Sequence, residues 1–293
     1  MIHKKTSFKK IRYFLESLLA YFFFYLFKLL PIRIASKFGI YIVYPLSKIL
    51  SVNKVAINNI NICFPNEKSI EKQQILKKTW KHFGSMLGEM PHWNDIDQKE
   101  FRKRVKIKYH TKINFKGALL ISAHLGNWEL MTRIAKEENI DLCTVYRPAN
   151  NPYINDLINK LRSQYNALLI KKGTSGIRTI IKSLKQKRTV GMLIDQKTND
   201  GIELPFFGID AKTTSAPANI ALKYNVPIIP VKFIRTKGIN YKVEFFKPIH
   251  IELKDDVYSI MGKINKIFEQ WIIENPEQWF WFHNRWPKNS DKV

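Results

Sequence analysis

Hydrophobic and polar positions change rhythm along this chain, and the changes mark its elements. Phe14 to Leu30 reads FLESLLAYFFFYLFKLL, apolar except for Glu16, Ser17 and Lys28. As a helix its 17 residues would reach about 25 Å, the short limit for crossing a hydrocarbon core of about 30 Å. A second apolar stretch, Phe38 to Leu50, follows. From Ser69 to Met90 the apolar residues Ile70, Ile75, Leu76, Trp80, Phe83 and Leu87 recur at helical spacing and predict a packing helix. Residues 99–116 then place eight Lys/Arg against one acid, and the alternation in RVKIKY suits an edge strand with one solvated face.

Beyond that point short apolar runs take over: Ala118 to Ser122, Leu142 to Tyr146, Leu168 to Ile170, Val190 to Ile194 and Ile228 to Ile234. The stretches between them suit helices, and Asn151-Pro152 and Ser215-Ala216-Pro217 are good helix starts, with a capping residue close before a proline. Strands alternating with helices predict an α/β fold with a mostly parallel central sheet flanked by helices on both faces. Tyr241 to Phe246 is expected to add an antiparallel strand. The expected organisation is a basic N-terminus with membrane-anchoring or interfacial helices over 1–50, followed by one α/β domain over 51–293.

Composition narrows the class. The chain has 293 residues, 45% of them hydrophobic, so an ordered core is expected. A mean hydropathy of −0.25 excludes a multi-span membrane protein. The 49 Lys+Arg against 24 Asp+Glu give a net charge of +25, which points to phosphates on nucleic acid or on an anionic bilayer. Placement favours the bilayer: Lys4, Lys5, Lys9, Lys10 and Arg12 precede the first apolar run, and no RNP or zinc-finger pattern accompanies the charge. Nucleic acid is therefore not an expected partner. The apolar run ends in bulky Leu29-Leu30-Pro31, unlike a signal-peptide cleavage site, and reads as an uncleaved anchor, with an interfacial helical pair favoured over a single span and two plain core helices as the remaining alternative. Cys63 and Cys143 form no C-x-x-C pair and no metal-ligand spacing appears, so a reducing compartment and no metal are expected.

The most informative stretch is GALLISAHLGNWELMTRIA. The strand Ala118 to Ser122 delivers His124 at its carboxyl end, where parallel α/β sheets place their active sites. Gly126 and Asn127 turn the chain, and Trp128, Leu130, Met131 and Ile134 begin a helix. With that turn between them, Glu129 can fold back onto the imidazole. A carboxylate on one ring nitrogen leaves the other free to take a proton from an alcohol, and the adjacent helix N-terminus offers N–H groups to an oxyanion. The alternative is a buried structural histidine and a first-turn acid favoured by the helix dipole.

HLGNWE at 124–129 resembles the H-x4-D/E motif of the lysophospholipid acyltransferase superfamily, and its NWE form is similar to the lipid A late-acyltransferase branch. NINICFPN (59–66), VYRPANNP (145–152), GMLIDQK (191–197), LPFFGIDAKTT (204–214) and PEQWFWFHNRWP (276–287) fit that branch in the same order. The resemblance implies a glycerolipid-acyltransferase-like fold and transfer of a fatty acyl chain from acyl carrier protein, less often acyl-CoA, to a hydroxyl on a Kdo-bearing lipid A precursor. A glycerophospholipid or another glycolipid is the competing acceptor. His124 would be the general base, Glu129 its orienting partner, and no covalent acyl-enzyme or cofactor would be needed. No G-x-S-x-G is present.

Asn127, Arg147, Asp195, Gln196 and Thr213 are the expected substrate-binding residues. Arg147, held extended by Pro148, would clamp a phosphate or make a structural ion pair. Asp195 would orient Arg147 or a substrate hydroxyl, or cap its strand. Phe206, Phe207 and Gly208 are expected in a loop whose aromatics either line the acyl channel or, as is commoner for Phe-Phe, simply pack, with Thr213 or Thr214 donating to substrate. Four of the seven Trp fall between 271 and 286 and are expected to close the core, which makes His283 structural, with Arg285 a possible phosphate contact. The expected setting is the cytoplasmic face of the inner membrane, on its anionic surface, as a monomer.

Overall fold

The computed structural model describes residues 2–165 and 167–286. Four helices come first: α1 (Ile2–Leu29), α2 (Ile32–Ser47), α3 (Val52–Cys63) and α4 (Ser69–Glu89). The α/β part follows as α5 (Gln98–Arg104), β1 (Val105–Tyr109), β2 (Leu119–Ser122), α6 (Met131–Glu137), β3 (Leu142–Tyr146), α7 (Pro152–Ser163), β4 (Leu168–Lys171), α8 (Thr174–Lys185) and β5 (Thr189–Leu193). The chain continues through β6 (Ile202–Phe206), β7 (Ile209–Thr213), α9 (Ala216–Tyr224), β8 (Ile228–Arg235), β9 (Tyr241–Phe245) and α10 (Val257–Glu274).

Seven strands form one sheet in the order β1-β9-β8-β2-β5-β3-β4. All neighbours are parallel except β8 and β9, which run antiparallel, as expected for Tyr241 onward. The sheet is buried on both faces. Leu119, Ile121, Val190 and Ile228 pack with α8, α9 and α10 through Ile180, Ile220, Ile264 and Phe268. Leu120, Leu142, Ile229 and Val231 pack on the other face with Phe101 of α5 and Ile134 and Ala135 of α6. The basic segment does supply an edge strand, β1, with Val105 buried and Lys106 and Lys108 exposed, but its first half is the helix α5.

Two features were not legible as such. Phe206, Phe207 and Gly208 belong to a β6–β7 hairpin whose two-residue turn has φ of 54° at Phe207 and 75° at Gly208, a mirror-image turn that matches strand twist. A bulky Phe at the first of these positions hides the usual Asn-Gly signal. The second feature is the seat of α2. Gly39 of α2 meets Gly84 of α4, and Gly88 lies against Ala35, so closely that a Cβ at Gly39 would stand 2.1 Å from the Gly84 carbonyl oxygen. Small residues let the two backbones touch, and this ties the first 50 residues to the rest of the chain. On α1, by contrast, Phe14, Leu15, Leu18, Leu19, Phe22 and Leu29 are all more than half exposed. Among the described residues no single helix is long and apolar enough to cross a membrane, although the pair α2 and α3, bent by 95°, passes on length and composition.

Candidate active site

The parallel pairing of β2 with β5 builds the centre of the site. Ser122 is in register with Leu193, so His124 and Asp195 each stand two residues beyond a paired position, at the carboxyl edge of adjacent strands. The His124 Nδ1 lies 2.7 Å from Asp195 Oδ1, and the His124 backbone N–H donates to Oδ2 at 3.0 Å. The indole N–H of Trp279 donates to the same Oδ2 at 2.7 Å. Asp195 is buried to 2% exposure. Burial opposes its ionisation, but the imidazole and these donors outweigh that, and its carboxyl is held below the ordinary value.

The loop that carries His124 is pinned from three sides. Residues 278–280 run antiparallel alongside it through a single bridge between Leu125 and Trp279: Gly126 N–H donates to the Gln278 carbonyl at 3.0 Å and Phe280 N–H to the His124 carbonyl at 2.9 Å. The Gly126 carbonyl faces Nε2 of His82 at 3.1 Å, while His82 Nδ1 accepts from Arg235 Nε at 3.1 Å, so His82 is neutral with its proton on Nε2. Burial and the Arg235 charge push its pKa down to about 3. Gly126 itself has φ of 62°, and a Cβ there would meet the Phe233 carbonyl oxygen at 2.1 Å. Trp128 and Phe280 wall the imidazole, with ring centroids 5.0 and 6.2 Å away.

Glu129 does not take the place expected for it. The chain after Asn127 makes one turn of 3₁₀ helix, Trp128–Leu130, before α6 starts, and the carboxylate carried on this turn bonds to α7 rather than to His124. There Arg162 grips it as a fork, Nε to Oε2 at 2.8 Å and Nη2 to Oε1 at 2.5 Å, and the Trp128 indole adds a bond at 3.1 Å. Burial works against the charge on Glu129, and the guanidinium overcomes it and holds the carboxyl below its ordinary value. The N–H groups of the preceding loop are already used: those of His124, Leu125 and Gly126 are taken by Asp195, the Ala123 carbonyl and the Gln278 carbonyl.

His124, Glu129 and Arg162 line one cavity of about 580 Å³, a size typical of ligand pockets. Its floor is apolar, made by Leu120, Leu193, Val231 and Phe233. Arg147, Lys172 and Lys197 bring positive charge to its wall, joined by Gln196, Thr214 and His283. Arg147 and Gln196 are thus both cavity-lining residues. Three other expectations are redirected. Asp195 partners His124 rather than Arg147 or a ligand, because β5 lies beside β2. Asn127, 3% exposed, is buried and is not among the residues that line this cavity. Thr213 is fully buried, its hydroxyl accepting from Arg285 at 2.6 Å, so Thr214 is the threonine at the cavity.

The aromatic loop is likewise core: Phe206 is fully buried against Trp286 and Trp279. Trp271, Trp279, Trp281 and Trp286 are all buried and do close the core. Arg285 is spent beneath them on Thr213 and the Lys212 carbonyl. Arg162 had no sequence signal of its own, since it is a routine cation in the last turn of an amphipathic helix.

Comparison with known proteins gives this geometry a setting. The family described as bacterial lipid A biosynthesis acyltransferase matches residues 1–288. The chain belongs to that family. It is 25% identical over 246 residues to a lipid A biosynthesis acyltransferase of Haemophilus influenzae, covering 81% of this chain and 78% of the relative. A lipid A biosynthesis lauroyltransferase of Escherichia coli is 24% identical over 261 residues, covering 82% and 80%. A palmitoleoyltransferase of the same pathway and organism is 23% identical over 249 residues, covering 79% and 77%. These relatives support acyl transfer in lipid A biosynthesis as the general activity of this family member.

Proposed function

We propose that this acyltransferase moves a fatty acyl chain from a thioester on acyl carrier protein to a hydroxyl of a Kdo-bearing lipid A precursor. His124 serves as general base with Asp195, rather than Glu129, as its orienting partner. The observation that carries the reading is the hydrogen bond of His124 Nδ1 to a buried carboxylate beside an apolar-floored cavity. It fixes the tautomer and leaves Nε2, which has no partner among the described residues, to accept a proton. In the step, the acceptor hydroxyl gives its proton to Nε2 while its oxygen bonds to the thioester carbonyl carbon. The tetrahedral intermediate then expels the thiolate, which takes the proton back from the imidazolium, and Asp195 stabilises that cation in between.

Glu129 and Arg162 form a neutralised pair in the cavity wall that keeps the site's shape. The cations Arg147, Lys172 and Lys197 suit phosphate on the acceptor or on the phosphopantetheine arm. The exposed apolar stripe of α1, following a basic start, supports a seat on the anionic cytoplasmic face of the inner membrane. The test is mass spectrometry of lipid products after incubation with acyl-carrier donors, offering lipid A precursor and lyso-phosphatidic acid side by side. Acylated lipid A precursor formed by the unaltered protein and not by His124→Ala supports the reading. Acylation of lyso-phosphatidic acid alone, or full activity of His124→Ala, refutes it.

A further inference from the structure

His283 is placed in the cavity wall by the last segment of the chain, and nothing in the proposed proton transfer uses it. Its ring orientation is set by one bond: the backbone N–H of Lys197 donates to Nε2 at 3.1 Å. A ring nitrogen that accepts a hydrogen bond carries no proton, so the neutral ring holds its proton on Nδ1. Burial pushes the pKa of His283 down to about 4, which keeps the ring neutral near pH 7. The backbone is fixed as well, because Asn59 donates from its side-chain amide to the carbonyls of both Trp281 and His283, each at 2.7 Å. The Nδ1–H has no partner among the described residues and is not sealed in the core.

Acyl transfer requires a donor at the carbonyl oxygen, where negative charge gathers as the hydroxyl attacks. The three N–H groups of the His124 loop are consumed within the protein, and the Arg162 fork is spent on Glu129. His283 lies close enough to His124 and Asp195 for charge on either to act on it. A neutral donor also suits this place, because it does not oppose the imidazolium that forms on His124 during the same step.

We propose that the Nδ1–H of His283 donates a hydrogen bond to the carbonyl oxygen of the acyl group under transfer. The carbonyl π electrons move onto that oxygen as the new C–O bond forms, and return as the C–S bond breaks. The proton on Nδ1 stays with His283 throughout. This rests on the reading of His124 as the base.

Two near-isosteric variants separate catalysis from scaffolding. The amide nitrogen of His283→Asn falls where Nδ1 was and keeps the donor, whereas His283→Gln reaches the Nε2 position and keeps the contact to Lys197. Steady-state rates with an acyl-carrier donor and lipid A precursor should show kcat lowered about 100-fold in His283→Gln at unchanged KM. His283→Asn should retain at least about 10-fold more of it than His283→Gln. The inference is overturned when His283→Gln equals or exceeds His283→Asn, or when either variant raises KM for the phosphorylated acceptor with kcat intact, which would make His283 a phosphate contact. Assaying His124→Ala alongside keeps the two readings apart: full activity there removes the base assignment, while loss there with indifferent His283 variants removes only this inference.

Discussion

The imidazole of His124 and the carboxylate of Asp195 meet at 2.7 Å across two adjacent parallel strands, and the same carboxylate also accepts the His124 backbone N–H. Side chain and main chain of the histidine are thus held by one buried group. Asp195→Asn keeps the shape but offers an amide where the imidazole needs an acceptor, which favours the wrong tautomer. We expect kcat to fall about 10⁴-fold, by analogy with the same exchange in a serine-protease triad, with a melting temperature within a few degrees of the parent. A loss of under 10-fold in single-turnover acylation assays would remove Asp195 from the mechanism.

Glu129 and Arg162 should behave as a pair. Arg162→Gln leaves a carboxylate in the cavity wall without its fork, and the pair is only partly exposed, with side-chain exposures of 18% for Arg162 and 29% for Glu129. The single change is expected to destabilise the protein by about 2 kcal/mol, a value discounted for that exposure. Adding Glu129→Gln should recover about half of it. Urea denaturation of the two singles and the double closes the cycle, and additive losses would contradict the pairing.

Gly126 leaves no room for a side chain. In Gly126→Ala the new Cβ would have to displace the Phe233 carbonyl of β8 while adopting a left-handed backbone. We expect at least about 2 kcal/mol of destabilisation together with loss of acylation, because the loop that moves is the one carrying His124. Circular dichroism melts and an activity assay on the soluble fraction check both.

Stability should fall on mild acidification through His82. Its folded pKa of about 3 lies below the ordinary 6.5, so between those values the unfolded chain binds a proton that the folded chain does not. Stability from this group is therefore complete above about pH 6.5 and declines as pH falls toward 3. Between pH 7 and 5 the loss is on the order of 2 kcal/mol. His82→Gln should flatten that part of the profile by about one proton, as read from denaturation midpoints at successive pH values.

The elements with strong local signals were legible. The Asn151 cap, whose side chain accepts from the Tyr153 N–H at 3.1 Å, starts α7 where the Asn-Pro pair predicted. The buried parallel strands appeared as short apolar runs because both of their faces are covered. The β6–β7 hairpin escaped because its left-handed turn residue is Phe207. Thr213 and Asn127 resembled ligand contacts only because a polar side chain gives no sign, along the chain, of which buried partner will claim it.

What the sequence determined by itself was the placement of His124 after a buried strand and before a glycine turn, since strand, turn and helix there are set by neighbours within about ten residues. Which carboxylate joins it was decided only by tertiary structure. Glu129 is five residues away in the chain, yet from its 3₁₀ turn it bonds to Arg162. Asp195 is 71 residues away and arrives because β5 pairs with β2 in a register that puts both strand ends level. Strand order and register come from burying two faces of a sheet at once, a global balance of apolar contacts that no local spacing encodes.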